Sequence, residues 1–317
     1  MNTIPSIFNQ HHINYSILEG KKSSSIRLPL TCIVLRDTEF TQYRSIVLEQ
    51  LCSKGFERII SVGLKSSMAA LNELQSKFSS VDYIEIQDTV TQGEMLNVAV
   101  SLVKTEYFLV LQESMCVQSF TFSKSLMEKF IEKDAFCICP LLYSPSHEAV
   151  NVKIEPFAKD SNFIFNEYNQ FLNDAKTLYP FDLAAFYKTQ TFIYLGGFDY
   201  TIKSSYWQKI DFFIRSWLWG EKVLLSSAFI LNYSNSMPNE ERTIDYSYLK
   251  FYIKNILPEF FNDHAYIPFS SFFAFKLKNH CGLSESISLF NSAKKWVNEN
   301  KYRFKTDVKK MIENWER

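Results

Sequence analysis

The sequence predicts a Rossmann-like α/β fold, in which a mixed, mostly parallel sheet is flanked by helices and followed by a helical C-terminal extension. Two observations support this prediction. Short apolar runs alternate with longer amphipathic runs through the first half of the chain, and the short runs are apolar at nearly every position. Strands that bury both faces, each separated from the next by a helix, form parallel sheets covered on both sides. From about Pro238 the pattern changes to helical runs joined by an aromatic stretch.

The first half divides into strands and helices in regular alternation. The strands are predicted at 28–35, 58–64, 81–86, 107–111 and 135–143, and the helices at 40–52, 66–78, 94–103 and 122–131. The helix over 66–78 illustrates the reasoning, because Leu71, Leu74 and Phe78 recur at three- and four-residue spacing and therefore share one face.

The C-terminal part is predicted to contain helices at 246–256, 284–299 and 306–315. The last helix places Val308, Met311 and Trp315 on one face, and residues 294–317 include eight basic and four acidic side chains. A basic, aromatic helix can lie on an anionic membrane surface or contact a partner, but more often it packs its apolar face on the domain. We expect packing. The predicted division is an N-terminal extension at 1–27, a domain at 28–235 and a helical extension at 236–317.

Composition excludes several classes of protein. Basic and acidic residues both number 34, so the net charge is zero and no basic footprint for nucleic acid is present. The six cysteines are scattered, several of them in apolar runs, which indicates buried free thiols and a reducing compartment. The first 25 residues lack the pattern of a signal peptide, and no run approaches the roughly 20 apolar residues that span a bilayer. We expect a cytoplasmic protein, with the inner face of the membrane as the alternative.

Glycine-rich phosphate loops are also excluded. Arg36, Asp37 and Thr38 follow the first predicted strand, where a dinucleotide-binding fold has its glycine fingerprint. The chain has only eight glycines and no P-loop motif. The sequence therefore does not favour a dinucleotide oxidoreductase or a P-loop nucleotidase.

Three segments carry a family resemblance. Asn97 precedes Glu106 by nine residues, and Glu106 leads into an apolar strand that ends at Gln112. A Gly-Gly-Phe-Asp turn follows at 196–199, and a Trp-Gln-Lys-Ile-Asp helix start follows at 207–211. In this order and spacing, the segments resemble those of the inverting family 2 glycosyltransferases of the GT-A fold, over residues 28 to 230. The resemblance implies transfer of a sugar from a UDP- or GDP-linked donor to a glycan or protein acceptor.

The resemblance also implies a metal site, in which acidic residues at the end of the fourth strand hold Mn²⁺ or Mg²⁺ across the donor diphosphate. The matching positions here are Gln112, Glu113 and Ser114, of which only Glu113 is charged. Hard cations prefer carboxylate ligands, so we expect weak or absent metal binding. Gln112 and Ser114 remain candidates for donor contacts, and Glu113 is the single candidate for a weak metal ligand or a substitute base.

The family's general base comes from an acidic pair at the start of the third segment, where this chain has Gln208 and Lys209. Glutamine cannot accept a proton, whereas Lys209 either neutralises the donor diphosphate or is an exposed lysine. Asp211 and Arg215 match the family's remaining positions, which imply a catalytic and a donor-binding role. They lie four residues apart on a predicted helix, so a structural ion pair explains them equally well.

The donor's base is expected near the ends of the first and third strands. By position, the resemblance implies contacts from Arg36, Asp37 and Thr38, then from Gln87 and Asp88, with Asn97 on the helix that follows. Asp37 or Asp88 could accept the imino N–H of uracil. The alternative is that both are solvated loop residues.

Three functions remain open. The first is an active glycosyltransferase that uses Lys209 or Arg215 on the diphosphate and Glu113 as a substitute ligand or base. The second is a catalytically silent homologue that serves as a binding or scaffold partner. The third is a nucleotidyltransferase-like protein, because that class also has a Rossmann-like half.

Overall fold

The computed structural model describes residues 11–21, 28–36, 41–66, 68–117, 122–159, 162–234, 237–279 and 281–315. The strands are β1 (Tyr15–Leu18), β2 (Leu28–Arg36), β3 (Phe56–Leu64), β4 (Val81–Ile86), β5 (Tyr107–Gln112), β6 (Met115–Cys116), β7 (Cys137–Tyr143), β8 (Lys153–Lys159), β9 (Asn162–Tyr168), β10 (Ala185–Lys188), β11 (Val223–Tyr233), β12 (Glu259–Phe261) and β13 (His264–Tyr266). The helices are α1 (Thr41–Cys52), α2 (Met68–Lys77), α3 (Gln92–Ser101), α4 (Lys124–Glu132), α5 (Thr189–Tyr194), α6 (Ser205–Leu218), α7 (Tyr246–Phe251), α8 (Ser271–Lys278), α9 (Leu283–Asn300) and α10 (Val308–Glu313).

The central sheet is mixed and mostly parallel, as the sequence predicts. Over the described residues it has nine strands in the order β1-β4-β3-β2-β5-β10-β7-β11-β6. β4, β3, β2 and β5 are mutually parallel, and β7 is parallel to β11. The short strand β10 lies antiparallel between β5 and β7, and the two edge strands β1 and β6 are also antiparallel to their neighbours.

Burial explains why the parallel strands can be predicted from the sequence. All six residues of β5 are buried, because helices cover both faces of the sheet. Each fully buried aliphatic side chain, such as Leu109 or Leu111, contributes about 1.5–3 kcal/mol to folding. The predicted strands and helices of the first half therefore recur in the structure with small shifts at their ends.

Several strands were not predicted. β10 and β11 complete the sheet, β1 pairs with β4, and the hairpins β8–β9 and β12–β13 lie outside the sheet. β10 is only four residues long and is preceded by a turn, so its apolar run is too short to be told from part of a helix. Its antiparallel position depends on two neighbours, β5 and β7, that are distant in sequence.

The C-terminal helices pack on the α/β core. α7 continues into a π-helical turn at Tyr252–Ile256, and both lie against α6. In α10 and just after it, Val308, Met311 and Trp315 are buried, and the Trp315 ring lies 4.6 Å from the ring of Trp217 on α6. The predicted packing of the last helix is confirmed. In the part of the chain that the structure describes, no helix is long and apolar enough to cross a membrane.

Candidate functional site

A cleft of about 580 Å³ opens beside the central sheet. Its walls are the first turns of α3 and α6, the end of β3 at Leu64, the turn before β10, and a segment at 238–245 that follows β11. The residues that line the cleft lie between Leu64 and Asp245 in the sequence, so they come from widely separated parts of the chain. It is a concave surface to which several separate elements contribute, and it is therefore the first candidate for a ligand site.

Two helix N-termini and two lysines line the cleft, together with the carboxylates of segment 238–245. Thr91 caps α3, and the first residues of that helix, Gln92 and Gly93, line the cleft. The N-terminus of α6 lines it from the other direction, together with Lys203 and Lys209. The backbone N–H groups and dipole of a helix N-terminus favour negative charge, and an ammonium group adds to this attraction.

Lys209 is buried rather than exposed, so the expectation of an exposed lysine is wrong. Lys209 is 7% exposed, and its Nζ forms an ion pair with Glu240 of segment 238–245. The ammonium also lies 4.7 Å from the ring centre of Tyr179 and 5.7 Å from that of Tyr206. Aromatic faces stabilise a cation that has lost part of its water shell. Lys209 is thus a charged group held at the cleft by its surroundings.

Glu240 remains ionised although it is largely buried. Burial raises the pKa of its carboxyl, but Lys209 and Arg242 lower it more, so the pKa lies below its usual value. The Arg242 Nη2 lies 2.8 Å from the Glu240 Oε2 and also pairs with Glu167 on β9. This chain of charges holds segment 238–245 against the cleft.

Gln208 joins the two helices at the base of the cleft. Its side chain is fully buried, Nε2 donates to the Asp199 carbonyl oxygen at 2.9 Å, and Oε1 accepts from the Thr91 hydroxyl at 2.7 Å. The fit is tight, because a Cβ at Gly93 would lie 2.2 Å from Gln208 Oε1. Gln208 therefore has a packing role between α3 and α6.

Asp211 and Arg215 form the ion pair that their spacing predicts. Arg215 Nη2 donates to Asp211 Oδ2 at 2.9 Å and to the Gly197 carbonyl oxygen at 2.9 Å. Asn255 Nδ2 donates to Asp211 Oδ1 at 2.7 Å, and Lys254 Nζ lies 3.0 Å from the same oxygen. Both members of the pair are buried and neither lines the cleft. Their positions support a structural role and not a catalytic or donor-binding one.

The Gly-Gly-Phe-Asp turn belongs to the same buried network. Gly196 and Gly197 have φ of 87° and 73°, which an L-residue rarely adopts. Lys254 Nζ lies 2.9 Å from Asp199 Oδ2. Burial raises the pKa of Asp199, but Lys254 outweighs it, so the pKa is held well below the usual range. Lys254 comes from the C-terminal extension, which the resemblance does not cover.

Asn97 also binds this turn and not the cleft. Its Nδ2 donates to the Phe198 carbonyl oxygen and its Oδ1 accepts from the Phe198 N–H, both at 2.9 Å. This reciprocal pair ties α3 to the turn. The predicted contact of Asn97 with a donor is therefore not supported by its position.

The predicted metal position does not fit a divalent cation. Gln112 Nε2 donates to the Asp182 carbonyl oxygen at 2.8 Å, Glu113 is 3% exposed, and the Ser114 carbonyl oxygen accepts from Ser234 N. Among the described residues, no three His, Cys, Asp or Glu side chains are close enough to hold one ion. Mn²⁺ and Mg²⁺ require several oxygen ligands, and this donor set does not supply them.

At the predicted base-binding position, Arg36 and Asp88 both bind other parts of the protein, and Gln87 is exposed. Arg36 is 2% exposed, forms an ion pair with Glu85, and donates from Nη2 to the Ile84 carbonyl oxygen at 2.9 Å. Asp88 accepts hydrogen bonds from the backbone and side chain of Asn14, which lower its pKa. Neither residue lines the cleft. Asp37 and Thr38 lie outside the described residues.

The turn before β10 contributes two residues that the sequence does not indicate. Asp182 and Leu183 both line the cleft and both have positive φ, 55° and 59°. Tyr233 at the end of β11 donates its hydroxyl to Asp182 Oδ2 at 3.0 Å. No motif marks Asp182 in the sequence, since its environment is assembled from residues far apart in the chain.

Comparisons with known proteins agree with this architecture. A structure of GalNAc-T7 with UDP, GalNAc and Mn²⁺ superposes with a TM-score of 0.57 over 89% of this chain, at 10% identity. The superposition includes most of this chain, whose central sheet is mixed and mostly parallel. This chain has a GT-A fold. The match covers 57% of the GalNAc-T7 chain, and identity this low shows the GT-A fold alone.

Other comparisons add little to the GT-A assignment. A structure of S. aureus TarS 1-349 in complex with UDP matches with a TM-score of 0.47 at 11% identity, over 83% of this chain and 70% of that one. No protein-family model matches the sequence. No curated protein matches it either.

Proposed function

We propose that this chain is a glycosyltransferase-like protein that binds a UDP- or GDP-linked sugar in the cleft. The observation that carries the proposal is Lys209, a buried ammonium at the N-terminus of α6, facing the same cleft as the N-terminus of α3. A diphosphate is the part of a nucleotide sugar that such a surface attracts. A GT-A neighbour crystallised with UDP and Mn²⁺ supports the nucleotide class.

We propose that transfer to a glycan or protein acceptor does not depend on a bound metal. The leaving diphosphate needs positive charge, which Lys209, Lys203 and the two helix N-termini supply. A cation that binds weakly at Glu113 is the alternative, and its buried position argues against it. Deprotonation of the acceptor hydroxyl falls to a carboxylate of segment 238–245, which lines the cleft.

Calorimetric titration tests donor binding and metal dependence together. UDP-N-acetylglucosamine, UDP-N-acetylgalactosamine and GDP-mannose are titrated with EDTA and, separately, with MnCl₂. We expect one of them to bind equally well in both conditions. Binding only in the presence of Mn²⁺, or no binding of any nucleotide sugar, would overturn the proposal.

Matched lysine variants locate the site. Lys209→Met is expected to weaken donor binding at least about tenfold, since a hydrogen bond to a charged group contributes roughly 1.5–3 kcal/mol. Lys209→Arg keeps the charge and is expected to retain more of the affinity. Lys124→Met on α4, where the side chain is 73% exposed, is the control and should bind as wild type. Thermal melting of each variant confirms that it is folded.

A catalytically silent homologue is the second candidate, because three positions that carry chemistry in the family have packing roles here. Gln112 is bound to the turn before β10, Gln208 to the turn after α5, and Asp211 to Arg215. Release of the nucleoside diphosphate from donor and acceptor separates the candidates. Release above background supports transfer, whereas binding without release supports the silent role. The same assay with a sugar phosphate and a nucleoside triphosphate tests the nucleotidyltransferase-like alternative.

Peripheral contact through the C-terminal helices and a cytoplasmic location both stay predictions. The apolar face of α10 is buried and is not accessible to a membrane or partner. Exposed apolar side chains are present instead at Phe269, before α8, and at Phe273 and Leu277 within it. A contact of this kind would therefore use α8.

A further inference from the structure

The turn before β10 has an unusual backbone. Asp182 and Leu183 are consecutive residues with φ of 55° and 59°, in the left-handed region. Aspartate tolerates this region better than most residues, whereas a leucine there is a genuine outlier. Such conformations cost on the order of 1–3 kcal/mol each and persist only where the surroundings determine them.

Three strands of the central sheet hold this turn in place. Gln112 at the end of β5 donates from Nε2 to the Asp182 carbonyl oxygen at 2.8 Å. Tyr187 of β10 donates to the Leu183 carbonyl oxygen at 2.7 Å. Tyr233 at the end of β11 donates to Asp182 Oδ2 at 3.0 Å. The position of the carboxylate is therefore determined by side chains on three different strands.

Asp182 lies at the wall of the cleft. Asp182 is 9% exposed, and both it and Leu183 line the cleft that contains Lys209. A carboxylate accepts hydrogen bonds from several donors at its two oxygens, and the Tyr233 hydroxyl is one of these donors. A group fixed in this way is suited to recognise hydroxyl donors on a ligand and to repel a phosphate.

We infer that Asp182 recognises the sugar of the nucleotide sugar, by accepting hydrogen bonds from hydroxyls of the hexose. This inference rests on the proposed donor-binding function. The two ends of the donor then contact groups of opposite charge. The diphosphate lies against Lys209 and the helix N-termini, and the hexose lies against Asp182. Gln112 and Tyr233 are positioning residues that hold Asp182. The side chain at the first position of the family's metal motif thus has a new role, in shaping the sugar subsite.

Calorimetric titration with a nucleotide and its sugar conjugate separates the two ends of the ligand. UDP and UDP-N-acetylglucosamine, UDP and UDP-N-acetylgalactosamine, and GDP and GDP-mannose are the probe pairs. Asp182→Asn is expected to lower the affinity for the sugar conjugate by about tenfold to a hundredfold, as for a lost hydrogen bond to a charged acceptor. Its affinity for the free nucleoside diphosphate should stay within twofold of wild type.

Two further variants control the experiment. Asp134→Asn makes the same change at another aspartate with positive φ, 43°, whose side chain is 88% exposed outside the cleft. It should leave both affinities unchanged. Tyr233→Phe keeps the Asp182 carboxylate but removes the hydrogen bond that holds it, and should weaken the sugar conjugate selectively even if Asp182→Asn does not fold.

The outcomes are distinguishable. If wild type binds the nucleotide and its sugar conjugate but Asp182→Asn and Tyr233→Phe bind both as wild type does, the sugar-recognition role is refuted and the proposed function stands. An equal loss of both affinities in Asp182→Asn also refutes the role. If wild type binds neither the nucleotides nor the conjugates, the proposed function fails and the inference falls with it.

Discussion

Lys254, in the π-helical turn after α7, connects that turn to Asp199 and to α6 through buried charge. It is 5% exposed, and its ammonium lies 2.9 Å from Asp199 Oδ2 and 3.0 Å from Asp211 Oδ1. Lys254→Met removes the cation and leaves both carboxylates in place. Removing one partner of a buried ion pair costs about 3–5 kcal/mol, because the remaining charge is no longer compensated. Asp211 keeps Arg215 and Asn255, so most of the loss is expected from Asp199.

Urea unfolding followed by tryptophan fluorescence measures this loss. We expect Lys254→Met to reduce the free energy of unfolding by about 3–5 kcal/mol. Lys250→Met, whose Nζ donates to the Thr201 carbonyl oxygen and forms no ion pair among the described residues, is the control and should lose about 1 kcal/mol. Combining Lys254→Met with Asp199→Asn removes the uncompensated charge and should restore part of the stability.

The pH dependence gives an independent check. In wild type the pKa of Asp199 is lowered, so its contribution is present above the unfolded-state pKa and is lost as the pH falls through the folded-state pKa. In the Lys254→Met variant, the Asp199 carboxyl is still buried, and burial without the neighbouring cation raises its pKa. The variant therefore protonates Asp199 more readily, and the stability difference from wild type should narrow as the pH falls. A loss below about 1 kcal/mol, or a difference that is constant with pH, would refute this account.

Three further perturbations follow from the geometry of the cleft. Gly93→Ala places a Cβ 2.2 Å from Gln208 Oε1, so we expect a loss of about 1–3 kcal/mol by urea unfolding. Gly282→Ala, with no atom within 4 Å, meets no clash and should lose less, because only the preference for glycine at the N-cap of α9 opposes it. Glu240→Gln releases Lys209 from its ionised partner and should raise the affinity for the nucleotide sugar in calorimetry; unchanged or weaker binding would show that Glu240 does not compete with the ligand. Prolonged dialysis against EDTA should leave donor affinity unchanged, and a loss that MnCl₂ restores would contradict metal-independent binding.

Much of the fold could be predicted, because burial on both faces leaves a local pattern. β2, β3, β4 and β5 are mostly apolar and are buried on both faces, and α2 has apolar side chains at the spacing of one buried face. The strand β10 could not be predicted, since four residues carry too little periodicity. Its place between β5 and β7 depends on pairing across the sheet and not on its own composition.

The candidate site was predictable only in part. Asn97, Asp211 and Arg215 match the family's motifs, but the structure shows them holding the turn at 196–199 and not lining the cleft. Lys209 lines the cleft, as its proposed role requires. Asp182 lies outside every motif and was missed. A motif match does not distinguish a side chain that serves packing from one that serves catalysis or binding.

The sequence by itself determined the fold class and the order of the main strands, and it placed Gln112 and Gln208 where the resemblance implies acidic residues. These features depend on residue type and on spacing over a few residues, which the linear pattern records. Only the tertiary structure decided what the altered positions do. Lys254 meets Asp199 across 55 residues of chain, and Tyr233 meets Asp182 across 51. Contacts at such separations arise from the packing of whole elements, because a hydrogen bond or ion pair leaves no periodic trace in the sequence around either partner.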